Sequence, residues 1–188
     1  EVVCDPASGS GGFLIRFFEI VREKILVDAD REYQEYKIEV AGYKLPEEKQ
    51  AELLRKKYAE IQATLDQKQK GSRLWRLANR CIYGTDANDR MARTSKMNMI
   101  MHGDGHGGVH HHDGFINVNG IFEERFDIVL TNPPFGSKKG GGIPTRTDFK
   151  YMTSNKQFCF LQHVYRWLKP GGRAAVVVPD NVLFEGNT

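Results

Sequence analysis

Two kinds of apolar pattern alternate along the chain and predict helices and strands in turn. Apolar side chains spaced three or four apart predict helices at residues 13–26, 88–101 and 157–168. Short apolar runs predict strands at residues 1–4, 80–83, 126–131 and 174–178. The continuous runs among them are typical of strands buried on both faces of a parallel sheet. This alternation favours a doubly wound α/β fold with a mostly parallel sheet.

Residues 27–71 differ in composition, because charges alternate in sign there and few residues suit a buried strand. Pro46 and the two glutamates after it predict a helix start, and Gly71 is predicted to end the helical region. The apolar positions between them share one helical face, at Leu54, Tyr58, Ile61 and Leu65. We expect one domain over residues 1–188 with a charged helical insertion at about residues 27–75. Its helices are expected to cover the domain itself, and a coiled arm that binds a partner is the alternative.

Composition narrows the class of protein. The 188 residues, 40% of them hydrophobic, suit one ordinary domain, and the abrupt strand-like ends predict a piece of a longer protein. A net charge of +3 permits a nucleic-acid partner without requiring one. No run is apolar enough to cross a bilayer and no signal peptide is visible, so a cytoplasmic protein without membrane contact is expected. Cys4, Cys81 and Cys159 lie far apart, which predicts reduced thiols.

A glycine-rich turn follows the first predicted strand, in the run DPASGSGGFL at residues 5–14. Glycines let the chain turn tightly and let a ligand approach the backbone, and N–H groups at the start of a helix can bind polar or anionic atoms. No Gly-Lys-Ser/Thr follows, and the spacing of a dinucleotide fingerprint is not met. The turn is therefore either a ligand site of another kind or a simple connection between strand and helix.

An acid, Asp86, ends the second predicted strand. In doubly wound nucleotide-binding folds an acid at this place accepts hydrogen bonds from ribose hydroxyls. Asp86 or Asn88 is equally suited to cap the helix that follows. The residue types alone leave both roles open.

The most specific motif is Asn132-Pro133-Pro134-Phe135, directly after an apolar strand. The two prolines fix the backbone and remove two N–H donors, so that carbonyls remain as acceptors. The side-chain oxygen of Asn132 and the carbonyl of Pro133 can accept from an amine, and Phe135 offers a face on which a flat ring can stack. The motif indicates a site for an NH2 group on an aromatic ring, and a rigid turn is the alternative.

Residues 5–14, Asp86 and residues 132–135, in this order, resemble motifs I, II and IV of the amino-methyltransferases in their γ arrangement. They are most similar to the modification (M) subunit of type I restriction–modification systems. Three further stretches agree with that subunit, at residues 90–103, 168–173 and 178–186. The resemblance implies a Rossmann-like class I methyltransferase fold, S-adenosylmethionine as cofactor, double-stranded DNA as substrate, and specificity (S) and restriction (R) subunits as partners.

The resemblance also implies roles for individual residues. By this resemblance, Asp86 holds the ribose of the cofactor. Asp113, which we place at the end of the third strand, contacts the adenine amine of the cofactor. The target adenine is held by Asn132, Pro133, Pro134 and Phe135. The rest of the cofactor lies over the glycine turn, at Asp5, Ala7, Ser8, Gly9, Ser10, Gly11, Gly12 and Phe13.

These residues predict a site-specific DNA methyltransferase that modifies the exocyclic N6 amine of adenine. That amine is a poor nucleophile because its lone pair is delocalised into the ring. Hydrogen bonds to Asn132 and Pro133 would favour a tetrahedral nitrogen as positive charge develops on it, and positioning would supply much of the rest. No cysteine lies in a matching motif, so no covalent intermediate is expected. The base must leave the duplex to reach such a pocket, where it would stack on Phe135.

Two other functions stay open at this point. The same amine-binding motif serves enzymes that act on RNA guanine or on protein glutamine, although Phe135 in place of a tyrosine argues against glutamine. A non-catalytic DNA-binding subunit could also keep the fold, although the intact motifs argue against it.

Two clusters carry less weight. Histidines crowd the glycine-rich loop predicted at residues 103–113, and no metal is predicted because the loop lacks a rigid set of ligands. A basic loop at residues 137–142, with Arg146 and Lys150, either contacts DNA phosphates or carries incidental charge. The histidines are His102, His106, His110, His111 and His112.

Overall fold

The computed structural model describes residues 1–104, 107–114, 125–135 and 148–184. Its described strands form one five-stranded sheet in the order β3-β2-β1-β4-β5, and every neighbouring pair is parallel. The strands are β1 Val3–Asp5, β2 Ile82–Asp86, β3 Val109–His111, β4 Phe126–Thr131 and β5 Leu168–Val176. The parallel α/β sheet predicted from the apolar pattern is thereby confirmed.

Helices cover both faces of this sheet. They are α1 Gly12–Ala41, α2 Glu47–Leu65, α3 Arg73–Arg80, α4 Asp89–Met101, α5 Lys156–Trp167 and α6 Asn181–Phe184. Side chains of α1, α3 and α4 form one core with Val3, whereas α5 forms a second core with Cys4. Because successive side chains of a strand point to opposite faces, β1 joins the two cores.

The chain order reverses beside β1, which pairs with β2 on one side and β4 on the other. In open α/β sheets ligands bind outside the carboxyl ends of the strands at such a point. The ends of β1, β2 and β4 are Asp5, Asp86 and Thr131. Each strand therefore ends at or next to a motif that the sequence singles out. The first two strands begin and end about two residues later than predicted.

The first helix is longer than its apolar pattern predicts, since α1 continues through Ala41. Its buried face also differs, because Leu14 and Phe18 are buried while Phe13 and Ile20 are 43% and 49% exposed. The apolar residues whose spacing predicts this helix are Phe13, Phe17, Ile20, Val21 and Ile25. Two of these five, Phe13 and Ile20, lie outside the buried face. No glycine or proline interrupts the helix before residue 42, and the continuation contacts α2.

The charged insertion consists of the second half of α1, α2 and the start of α3. Glu32 of α1 accepts hydrogen bonds from Lys57 of α2 at 2.6 Å and from Arg73 of α3 at 2.9 Å, and these cations lower the pKa of Glu32. This network joins three helices, and α2 contacts α1 and α3. That residues 27–75 are an insertion into the domain stays a prediction.

Two predicted details of α2 were wrong. The helix ends at Leu65, capped by Asp66, and not at Gly71, which instead has a positive φ of 92° just before α3. Tyr58 is 51% exposed, and its ring meets that of Tyr33 edge-on with 5.4 Å between centroids.

Two more predicted segments differ near the end of the sheet. Residues 170–172 were expected to separate α5 from the last strand. Instead β5 begins directly after α5, at Leu168, and includes these residues. Its pairing with β4 is irregular between Leu168 and Arg173. Gly171 permits this with a φ of 79°. The histidine segment is not only a loop, because β3 lies within it and pairs with β2.

The thiols of Cys4, Cys81 and Cys159 form no disulfide, and burial raises the pKa of the Cys4 thiol well above its usual value. In the part of the chain that the structure describes, every helix is too short or too polar to traverse a bilayer.

Candidate active site

A cleft of about 500 Å³ opens at the carboxyl ends of the strands. Its volume lies within the range of small-molecule and cofactor sites. Five of the predicted site residues line it together, although they come from four different strand ends: Ala7, Asp86, Asp113, Asn132 and Pro134. The glycine turn and the Asn-Pro-Pro-Phe motif, 118 or more residues apart in the sequence, therefore face one cavity.

The glycine turn is held against β2 by its backbone. The N–H of Ser8 donates to the carbonyl of Thr85 at 2.9 Å, and the N–H of Gly9 donates to the Asp86 carboxylate at 2.9 Å. Residues 8–13 do not line the cleft in the described structure. They form the turn and helix start that hold Pro6 and Ala7 at its wall.

Helix α4 holds the other side of the turn. The side-chain amide of Asn98 donates to the carbonyl of Ser10 at 2.9 Å. Gly11 has a φ of 90°, and a Cβ at this position would lie 2.7 Å from the Ser95 hydroxyl oxygen. Only glycine suits this place, because a side chain would meet both backbone strain and the close approach of α4. Sequence reasoning gave Ser95 and Asn98 no part in the site.

Asn88 takes the capping role that the sequence left open between Asp86 and Asn88, whereas the ribose-binding role of Asp86 stays a prediction. The Asn88 side chain accepts from the N–H groups of Arg90 and Met91, at 3.0 and 3.3 Å, and so caps α4. Asp86 lies in the cleft wall, and its second oxygen accepts from the N–H of Asn88 at 2.8 Å. Each oxygen of Asp86 therefore holds one backbone N–H and keeps a lone pair for a further donor.

Asp5 is a buried acid at the end of β1. Its side chain is 1% exposed and accepts from the N–H of Ala7 at 3.0 Å. Burial raises the pKa of Asp5 to about 6, while the Ala7 N–H and the neighbouring Thr131 act in the opposite direction. Asp5 does not line the cleft, so it acts on the site through the turn that it braces.

The far end of the cleft is built from the residues after β3. Gly114 lies flat against the ring of His163, since a Cβ on Gly114 would be 2.5 Å from the ring nitrogen Nε2. His112 stacks on Trp167 with ring centroids 6.5 Å apart. This packing places Asp113 in the cleft, as the sequence predicted.

Helix α5 supplies a wall that sequence reasoning missed. Lys156, Phe160 and His163 line the cleft together. Their spacing of four and three residues puts them on one face of the helix. That spacing was visible in the sequence, but it is equally typical of a helix that only packs on a core.

The catalytic motif reaches the cleft in part. Asn132 and Pro134 line it, Pro133 is buried, and Phe135 is 51% exposed and outside the cleft lining. The contact of Asn132 with an incoming amine thus has a geometric basis. The stacking role of Phe135 stays a prediction.

The structure describes only a part of the two weaker clusters, and in that part His112 lines the cleft. Within residues 1–104, 107–114, 125–135 and 148–184, no group of three His, Cys, Asp or Glu side chains is placed to hold a metal ion. His106, residues 137–142 and Arg146 lie outside the described residues. Lys150 is exposed, and its ammonium lies over the Tyr151 ring, 5.4 Å from the ring centroid.

Comparisons with known proteins bear on the family. The family model of the N-6 DNA Methylase matches residues 59–188. The chain is 38% identical over 188 residues to the methylase subunit of the type I restriction enzyme StySPI from Salmonella potsdam. It is 36% identical over 192 residues to that of EcoKI from Escherichia coli strain K12. Both alignments cover 99% of this chain but 28% of the relative, so the chain spans little more than a quarter of their length.

The fold agrees with the sequence comparison. The crystal structure of the type I restriction enzyme EcoKI M protein matches with a TM-score of 0.63 and 32% identity, over 99% of this chain and 31% of that one. A modification subunit of a putative type I restriction enzyme from Vibrio vulnificus matches with a TM-score of 0.54 and 25% identity, over 98% of this chain and 31% of its own. With a family match over more than half of its residues and this fold, the chain belongs to the N-6 DNA methylase family and has a class I methyltransferase fold.

Proposed function

We propose that this chain is the catalytic domain of a DNA methyltransferase that transfers a methyl group from S-adenosylmethionine to the N6 amine of adenine. The observation that carries the proposal is the shared cleft. Asn132 and Pro134 line the same cavity as Ala7 and Asp86. The acceptors proposed for the target amine and the residues proposed to bind the cofactor's nucleoside therefore face the same cavity.

The residues of the cleft fit the cofactor. Each Asp86 oxygen keeps an accepting lone pair, which suits two vicinal ribose hydroxyls. Asp113 offers a carboxylate to an adenine amine, and Phe160 lines the cleft with an apolar ring between the two ends of the α5 wall. The buried Ser8 hydroxyl has no hydrogen-bond partner in the described structure, and it lies on the turn. When bound, S-adenosylmethionine supplies a methyl group on a sulfonium.

The protein's part in the reaction is to orient and polarise the amine. The Asn132 oxygen accepts one amine hydrogen and the adjacent proline backbone offers a second acceptor. These acceptors stabilise the transition state, in which the amine nitrogen becomes tetrahedral and gains positive charge. The target base enters the cleft only after it has left the duplex.

Substrate and partners follow from the relatives and are part of the proposal. The relatives are named methylase subunits of type I restriction enzymes. We infer that the full-length protein acts on double-stranded DNA together with a specificity subunit and a restriction subunit. The enzymes that act on RNA guanine or protein glutamine are the competing class, and assays on all three substrates separate them.

The test is the variant Asn132→Ala in the full-length protein, compared with Asn79→Ala. Asn79 donates to the Trp75 carbonyl within α3 and does not line the cleft. Asn132→Ala is expected to abolish adenine methylation, measured by mapping modified adenines in genomic DNA, and to keep its affinity for S-adenosylhomocysteine. Full methylation by Asn132→Ala, or methyl transfer only to RNA or protein, would contradict the proposal.

A further inference from the structure

Lys156 is a cation in the cleft that the proposed chemistry leaves without a role. It is the first residue of α5 and lines the cleft beside Asn132 and Pro134. Its side chain is half-buried. A lysine that is partly removed from water is costly unless its charge meets an anion.

Other half-buried lysines of this protein have such a partner. Lys57 pairs with Glu32 at 2.6 Å, and Lys169 pairs with Asp127 at 2.9 Å. Across the ranges that the structure describes, the ammonium group of Lys156 forms no salt bridge or hydrogen bond. Its ammonium group is therefore available to an anion that comes from outside the chain.

The wall formed by α5 shows where that anion would lie. Phe160 is 9% and His163 2% exposed, whereas Lys156 is more open, so the cleft deepens from Lys156 towards His163. The ends of this wall are seven positions apart, which corresponds to about 10 Å of helix. Gly114 packs on His163 at the deep end, whereas Lys156 and Asn132 are more exposed than Phe160 and His163.

A nucleotide that flips its base into this mouth keeps its phosphates in the DNA backbone, which then runs along the rim of the cleft. We propose that the Lys156 ammonium binds a DNA phosphate next to the flipped adenine. This inference rests on the proposed function. The contact would fix the position of the target nucleotide without reading its sequence.

The test uses the full-length protein with Lys156→Gln, Lys156→Arg and, as control, Lys70→Gln. Lys70 is exposed in the connection between α2 and α3 and lies outside the cleft. DNA affinity is measured over a series of salt concentrations. Lys156→Gln is expected to lower the salt dependence by about one phosphate contact and to weaken binding roughly tenfold at 0.1 M salt. Lys156→Arg should restore most of the affinity, and Lys70→Gln should match the unchanged protein.

Calorimetry with S-adenosylhomocysteine separates the two anions that the ammonium could meet. The proposal expects an unchanged cofactor affinity in Lys156→Gln. A loss of that affinity with an unchanged salt dependence would assign Lys156 to the cofactor's carboxylate and overturn the proposal. If the unchanged protein methylates no DNA, the proposed function itself fails. If it methylates DNA and Lys156→Gln binds DNA with an unaltered salt dependence, only the present inference fails.

Discussion

The carboxylate of Asp86 accepts the backbone N–H of Gly9 over 2.9 Å. This bond joins the end of β2 to the middle of the glycine turn, which lies 77 positions earlier in the chain. The same carboxylate lines the cleft. One acid thus shapes the turn and also faces the ligand, so its removal should affect the site in two ways.

We expect Asp86→Ala to weaken binding of S-adenosylhomocysteine by about tenfold to a hundredfold. The variant loses the charged acceptor for the ligand and the bond to Gly9, and hydrogen bonds to charged groups contribute about 1.5–3 kcal/mol. Titration calorimetry measures the affinity. Asp89→Asn is the matched control, because Asp89 is exposed, pairs with Arg93 along α4 and does not line the cleft. If Asp86→Ala binds S-adenosylhomocysteine with unchanged affinity, Asp86 does not contribute to cofactor binding.

Asn98→Ala tests whether α4 positions the turn. The variant loses the bond from the Asn98 amide to the Ser10 carbonyl. A neutral hydrogen bond contributes about 0.5–1.5 kcal/mol, so S-adenosylhomocysteine should bind about twofold to tenfold more weakly. Asn79→Ala removes a bond of the same kind within α3, also 2.9 Å long, and should leave the affinity alone. Equal effects of the two variants would show a general loss of stability and no role in the turn.

Alanine substitutions at the neighbouring positions Gly11 and Gly12 are expected to have opposite effects on stability. Gly11→Ala should lower the free energy of unfolding by about 1–3 kcal/mol, because its φ of 90° is strained and Ser95 lies in the way. Gly12→Ala should raise it by roughly 0.5 kcal/mol, because Gly12 begins α1 and a Cβ there meets nothing within 4 Å. Urea unfolding measures both.

A second substitution separates strain from steric conflict. Adding Ser95→Ala to Gly11→Ala removes the oxygen that would lie 2.7 Å from the new Cβ. Part of the lost stability should return, while the cost of the positive φ remains. A double variant no more stable than Gly11→Ala would mean that contact with Ser95 does not matter.

The motifs that lie at strand ends were predictable from the sequence. The apolar run of β4 leads directly to Asn132, and the turn after β1 carries its glycines in one block. A parallel sheet brings the carboxyl ends of its strands to one edge. The shared cleft of Ala7, Asp86 and Asn132 follows from that rule.

The supporting helices were less predictable, since their contacts depend on packing between distant segments. Asn98 and Ser95 look like ordinary residues of a polar helix, and only the approach of α4 to the turn gives them a role. Lys156 and His163 likewise line the cleft only because α5 packs beside it. The length of α1 was underestimated because its second half is stabilised by α2, while its own pattern is charged.

Asp5 predicts a specific pH dependence of stability. Its pKa rises from a usual value of 3.8 to about 6 because the carboxyl is buried. The folded protein therefore holds this proton more tightly than the unfolded chain does. The resulting stabilisation is fully present below about pH 4 and is lost as the pH rises through about 6. The loss amounts to about 3 kcal/mol, at about 1.4 kcal/mol for each pKa unit.

Asp5→Asn isolates this effect, because asparagine keeps an acceptor for the Ala7 N–H and does not titrate. Other acids, such as Glu32 and Asp127, titrate in both proteins and cancel in the difference. The free energy of unfolding of the unchanged protein, minus that of Asp5→Asn, should fall by about 2.5 kcal/mol between pH 4 and pH 7, since a small part of the effect is already lost at pH 4. Urea unfolding at several pH values measures it. A constant difference would show that folding leaves the pKa of Asp5 at its usual value, and a rising one that folding lowers this pKa.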